Sequence, residues 1–126
     1  MTIGHKAEQW MASLLREAGY TVLFSNRTGD RIGIDFWIQL DRNWIAIQFT
    51  VNRKRFFSWK AQEAIQSRIV PVLMDDGELD GAVHGDSGLQ GKVLEEFWEE
   101  VNNLLKVFPQ CRRVQSPNLI HTRVIS

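Results

Sequence analysis

The run Ile32-Gly33-Ile34-Asp35-Phe36-Trp37-Ile38-Gln39-Leu40, then Asp41-Arg42-Asn43, then Trp44-Ile45-Ala46-Ile47-Gln48-Phe49-Thr50-Val51 decides the fold. Its apolar residues recur every second position, the period of a half-buried strand, and two such runs around a short polar turn predict a β-hairpin. The apolar set is even in the first run (32, 34, 36, 38, 40) and odd in the second (45, 47, 49, 51). Directly opposed residues share a face, so burying both sets together requires opposed positions that sum to an odd number. A loop at 41–42 gives a sum of 83 and sets Asp35 opposite Gln48, whereas a loop at 42–43 gives 85 and sets it opposite Thr50. In both registers Asp35, Gln48 and Thr50 gather on the face away from the isoleucines.

Upstream, Ala7, Trp10, Met11, Leu14, Leu15 and Ala18 form one apolar stripe at helical spacing, and Gly19 supplies a stop. Residues 21–24 read as a short strand and 26–30 as a loop. Glu8 lies about 100° round this helix from Ala7, at the edge of the buried stripe. Downstream, Ser58 is a candidate cap for a helix running to Arg68, and residues 69–74 read as a buried strand. A strand reached through a helix is expected to pair in parallel. Residues 75–91 hold five of the nine glycines and read as an acidic, glycine-rich loop. Val93, Phe97, Trp98, Val101, Leu104 and Leu105 predict a final helix ended before Pro109, and 119–125 carries a weak strand signal. The expected order is α-β-β-β-α-β-α, an α/β sandwich in one domain spanning 1–126.

The 126-residue chain is 44% hydrophobic and 24% charged, the composition of a globular domain able to bury a core. Its longest apolar run, 69–74, is interrupted by Pro71 and falls far short of the roughly 20 residues of a membrane span. No membrane partner and no leader segment are expected. One cysteine, Cys111, excludes an internal disulfide framework and a cysteine-based zinc cluster, and a reducing, cytoplasmic setting is the expectation. The net charge of zero hides an asymmetry. Residues 1–72 carry ten basic and six acidic side chains, 73–100 one basic and nine acidic, and 101–126 four basic and no acidic. The neutral total is compatible with a local polyanion-binding patch and excludes a uniformly basic coat.

At this point the chain resembles a known superfamily. Gly4 through Glu8 on the opening helix, Gly19-Tyr20 ending it, Asn26-Arg27, Gly33-Ile34-Asp35 and Ile45-Ala46-Ile47-Gln48-Phe49-Thr50 look like the core of the PD-(D/E)xK nucleases. The likeness covers about residues 4–74 and is greatest to the small Holliday-junction-resolvase-like branches, which share a tRNA-endonuclease-like fold. It implies a three-layer, restriction-endonuclease-like core, α-β-β-β-α-β with a C-terminal helix after it. It also implies Mg2+ or Mn2+ held by a helix glutamate, a strand aspartate and an E-x-K strand. That metal activates water against a phosphodiester. Glu8 and Asp35 match the first two positions. The third departs: Gln48-Phe49-Thr50 stands where E-x-K is expected, and neither an amide nor a hydroxyl replaces a carboxylate or an ammonium. Lys54 shares the parity of Gln48 and Thr50 and could replace the lysine, as could Lys60.

Arg53-Lys54-Arg55-Phe56-Phe57-Ser58-Trp59-Lys60 is the densest basic and aromatic stretch. Arg53, Lys54, Arg55 and Lys60 suit phosphates, and an exposed aromatic suits a base; the plain alternative is a solvated strand-to-helix turn. Arg112, Arg113 and Arg123 would extend the positive surface. The acidic side chains Glu95, Glu96, Glu99 and Glu100 read as a solvated helix face. The opposite stripe reads as core or, in a homodimer, as an interface. Residues 76–81 imitate the opening of an EF-hand loop, but Ser87 stands where its bidentate glutamate belongs. Two readings follow: a Mg2+-dependent endonuclease acting on DNA, branched DNA included, or on RNA, and a non-catalytic nucleic-acid-binding or assembly module on the same fold.

Overall fold

The computed structural model describes residues 3–25, 32–51, 59–114 and 117. In chain order the elements are α1 (Ile3–Glu17), β1 (Val22–Phe24), β2 (Phe36–Leu40), β3 (Asn43–Thr50), α2 (Trp59–Gln66), β4 (Val70–Leu73), α3 (Asp76–Val83), α4 (Ser87–Val107) and a 3-10 turn, Pro109–Cys111. The strands form one mixed sheet in the order β1-β2-β3-β4. The first three make an antiparallel meander, and β4 returns parallel to β3 through α2. The architecture is α/β, with helices on both sides of the sheet.

The hairpin takes the shorter register. Phe36 opposes Ile47 and Leu40 opposes Asn43, sums of 83, with Asp41-Arg42 as the loop and Asp41 at a φ of 55°. One sheet face carries Phe36, Ile38, Ile45, Ile47, Phe49, Val70 and Val72, and packs against α1, α3 and α4. The apolar stripe of α4 (Val93, Phe97, Val101, Leu105) is buried there, inside this chain's own core. The other face is also buried: Trp37, Trp44, Ala46 and Ile69 meet Ala64 of α2 in a second, smaller cluster.

Three expectations need correction. Residues 75–91 are not a loop but α3 and the start of α4. Asp75 and Asp86 each accept the backbone N–H three residues on (Glu78 at 3.0 Å, Leu89 at 3.1 Å), which caps the two helices. Leu79 and Ala82 bury α3, and Gly81 marks close packing rather than a turn, since a Cβ there would stand 2.5 Å from Leu89 Cδ1. The final helix accordingly begins at Ser87. The strand expected from residue 32 begins only at Phe36, and Ile34 sits in the α2-side cluster rather than with the other isoleucines. The helix cap at Ser58 and the strand at 119–125 lie outside the described residues. Among the described residues no helix is long and apolar enough to cross a membrane.

Side chains engage outward-facing backbone groups at both sheet edges. Met74 N–H bonds Thr50 O, so the alternate N–H of Leu73 points outward, where Glu100 Oε2 accepts it at 3.1 Å. The other outward position on β4 is Pro71, which has no N–H. At the opposite edge Arg16 donates to Val22 O at 2.8 Å. The part of β3 that β4 does not reach is bridged by Arg113, whose N–H and C=O exchange bonds with Trp44 at 3.0 and 2.6 Å. Arg113 is thus spent on the fold: its guanidinium bonds Ser67 O and Arg68 O at 3.0 Å and stacks over Trp37 at 5.1 Å.

Candidate functional site

The departure of Ile34 has a local cause that also places Asp35. Regular pairing sets Ile47 against Phe36, yet Asp35 N–H also bonds Ile47 O, at 2.8 Å. Two successive residues of one strand facing one of the next is a β-bulge, and the extra residue reverses the side on which every earlier side chain emerges. Ile34 is therefore turned to the α2 side, and Gly33, at a φ of 91°, absorbs the bend. Ser25, the one buried polar residue among the described residues, holds the bulge from β1. Its Oγ donates to Ile34 O and lies 3.2 Å from Asp35 O, while its N–H meets Asp35 O at 3.3 Å.

The bulge aims the Asp35 carboxylate at β3. Asp35 Oδ2 accepts Phe49 N–H at 2.7 Å, continuing with a side chain the ladder that β2 would have made with its backbone. Asp35 therefore meets the Gln48-Phe49-Thr50 segment through the Phe49 N–H, but not on the shared face with Gln48 and Thr50 that the hairpin parity predicts, because the bulge shifts the count by one. Gln48 and Thr50 are each half-buried on either side of that bond. Gln48 lines an open cleft of about 390 Å³ between the start of β2 and the second half of α2, with Gly33, Glu63 and Gln66. Its Nε2 lies 3.2 Å from where a Cβ on Gly33 would be, so a side chain at 33 would push that amide aside by a few tenths of an ångström.

Glu8 is half-buried in α1 next to Ala7, and α1 packs on the sheet beside β3. Arg53, Lys54, Arg55 and the side chain of Lys60 lie outside the described residues, as does Arg123. Arg112 is exposed and Arg113 is committed as above. The side chains shown together on β2 and β3 offer one carboxylate, already accepting an N–H, with an amide and a hydroxyl beside it. Among the described residues no three His, Cys, Asp or Glu side chains converge on a point. This is not the carboxylate-rich donor set that the resemblance implies for Mg2+.

The strongest acidic character lies elsewhere, at the far edge of the sheet. Burial raises the Glu100 carboxyl above the usual range against the opposing effect of the Leu73 N–H, and Glu96 and Glu99 add to the rise. Glu96 is raised too, by desolvation and by its neighbour Glu78. Lys92 pairs with Glu78 at 2.6 Å, which raises the ammonium. Glu95 and Glu99 are exposed as expected, but Glu96 and Glu100 are not simply solvated. Sequence reading missed Ser25 and Glu100, whose roles depend on contacts 9 and 27 residues away.

Compared with protein-family profiles, with curated proteins and with solved structures, the chain matches none.

Proposed function

We propose that this chain is a nucleic-acid-binding protein of the PD-(D/E)xK type, in which Asp35 and the Gln48 strand descend from a Mg2+-dependent phosphodiester-cleaving site and now serve binding. The observation that carries the reading is the bulge at Asp35. It joins a strand aspartate to the Gln48-Phe49-Thr50 strand within an α-β-β-β-α-β order of elements, where the resemblance expects the aspartate and the E-x-K strand to meet. The neutral pair Gln48 and Thr50 and the engaged Asp35 Oδ2 favour binding over hydrolysis. A second reading, an active Mg2+- or Mn2+-dependent endonuclease, is favoured by the same bulge, because bulges concentrate beside active sites and re-aim the side chains that work there.

The test is fluorescence anisotropy with branched, single-stranded and duplex DNA and with single-stranded RNA, over a salt series, with cleavage followed in the same samples plus Mg2+ or Mn2+. Binding that weakens steeply with salt, without cleavage, is the expected result. Cleavage abolished by Asp35→Asn would replace it with the endonuclease reading. Absence of binding to every substrate at low salt would remove nucleic acid from the account altogether.

A further inference from the structure

The cleft beside Gln48 has a chemistry of its own. Its polar side chains are two amides (Gln48 and Gln66), a carboxylate (Glu63) and a hydroxyl (Ser67). Among the described residues that line it there is no lysine or arginine, and it adjoins the negative, C-terminal end of α2, so it does not suit a phosphate. The carboxylate calls for a ligand with N–H donors, and the amides for one that donates and accepts at neighbouring atoms. Ala64 gives the cleft an apolar floor. Ile32, 48% exposed and one of only three large apolar residues so exposed among the described residues, gives it an apolar rim. Its volume of about 390 Å³ is at the small end of ligand sites.

We infer that this cleft receives one unstacked adenine base from a single-stranded nucleic acid, read by Gln48 and Glu63, an inference that rests on the nucleic-acid-binding reading above. Adenine offers an exocyclic amine beside a ring acceptor. A glutamine amide matches that pair with two hydrogen bonds, and a carboxylate takes the amine's second hydrogen. Guanine and thymine present a carbonyl oxygen at the same position, which would face the Glu63 carboxylate without a proton between them. Cytosine sets an amine beside a ring acceptor on its Watson–Crick edge alone (N4 and N3), whereas adenine presents that pair on two edges, N6/N7 and N6/N1. The loss of the E-x-K glutamate thereby acquires a use: an amide at position 48 reads a base edge where a carboxylate would hold a cation.

The test uses the full chain and paired strands of thymine (DNA) or uracil (RNA). One strand of each pair carries a single adenine, and the other carries at that place a purine lacking the exocyclic amine. Wild type is expected to bind the adenine strand about tenfold more tightly. Gln48→Leu and Glu63→Gln, both outside the core, are expected to reduce that ratio to near one by weakening binding of the adenine strand, while leaving the melting temperature in place. Equal binding of both strands by wild type overturns the base cleft and leaves the nucleic-acid reading standing. If no strand binds, that reading fails, and titration with adenosine decides the cleft separately. Adenosine-dependent shifts of the Gln48 and Gln66 side-chain amide NMR signals, absent with uridine, support it, and their absence overturns it. A preference confined to DNA or to RNA identifies the source of the base.

Discussion

Asp35 is the residue on which site and fold depend together, and its substitution separates the two. Its carboxylate accepts the Phe49 N–H at 2.7 Å, at a place where β3 has no backbone partner from β2. Phe49 itself is buried in the larger core cluster. Asp35→Ala leaves that N–H without its acceptor, a loss of about 1–3 kcal/mol for a charge-assisted bond at a partly buried site. For a domain of this length, about 2 kcal/mol lowers Tm by roughly 6–10 °C. Asp35→Asn keeps an oxygen at the acceptor position and gives up only the charge, so its loss should be about half as large. Urea unfolding with an unchanged m-value, together with calorimetry, measures both. An alanine variant within a degree or two of wild type would refute the anchoring role. An asparagine variant as damaged as alanine would show that charge, not the acceptor, holds the bulge. The distinction governs functional work as well: in Asp35→Ala a lost activity and a loosened β3 coincide, and Asp35→Asn is the control that keeps them apart.

At the β4 edge, Glu100→Ala should expose the Leu73 N–H and cost about 1–2 kcal/mol by urea unfolding, with faster aggregation on heating because the edge is reopened. Glu100→Gln keeps an acceptor without a desolvated charge. Because the folded-state pKa of Glu100 is raised, the wild-type glutamate contributes most stability below the ordinary carboxylate range and loses it as pH rises through the folded value. The Gln variant should therefore gain on wild type in Tm between pH 4 and pH 7 (roughly the unfolded value upward), and a pH-independent difference would refute the assignment. Arg113→Ala removes two bonds to the end of α2 and the stack on Trp37, a loss of about 1–2 kcal/mol that Arg113→Lys recovers only in part; equal stability of Lys and Arg would refute the stacked, forked geometry. Gly33→Ala combines a φ of 91° with a Cβ 3.2 Å from Gln48 Nε2 and should cost about 1–3 kcal/mol, refuted by an unchanged Tm.

Where local periodicity carries the information, the sequence is legible. The hairpin, with its loop at 41–42 or 42–43, and the stripe of α1 follow from spacing of two and 3.6, and the parallel return of β4 from the helix before it. Residues 75–91 are misread because composition stands in for geometry. Five glycines and five acids suggest a loop, yet Asp75 and Asp86 are the caps of two helices and Gly81 is the place where they touch. In this segment Gly85, at a φ of 102°, turns the chain between the two helices whereas Gly81 is a close approach, and composition alone does not separate the two. The Ser25 and Glu100 contacts are illegible for a different reason: each joins a side chain to a backbone atom of a distant element, and no spacing rule connects them.

The bulge exposes the limit of the parity argument and leads to the last prediction. Counting every second residue assumes that each position advances the strand equally. The extra residue at Asp35 breaks that count, so Ile34 changes face and Asp35 turns into line with the Phe49 N–H while Gln48 looks toward α2. Asp35 and Gln48 are therefore neighbours without sharing one surface, and Gln48 shares its cleft with Glu63 instead. Gln48→Glu then does more than restore a motif: it sets two carboxylates in one cleft next to a third just before β2. Like charges so placed raise each other's pKa unless a cation neutralises them. The variant should gain a Mn2+-dependent rise in Tm that wild type lacks, saturating with concentration as linkage requires. Combining it with Glu63→Gln or with Asp35→Asn identifies the partner: abolition by the first assigns the cation to the cleft, and abolition by the second assigns it to the β2–β3 junction. Only the second outcome returns the cation to the position from which the nuclease resemblance derives its chemistry. A Gln48→Glu protein whose Tm ignores Mn2+ would mean that neither arrangement of carboxylates is close enough to share an ion, and the descent proposed for this strand would lose its chemical basis.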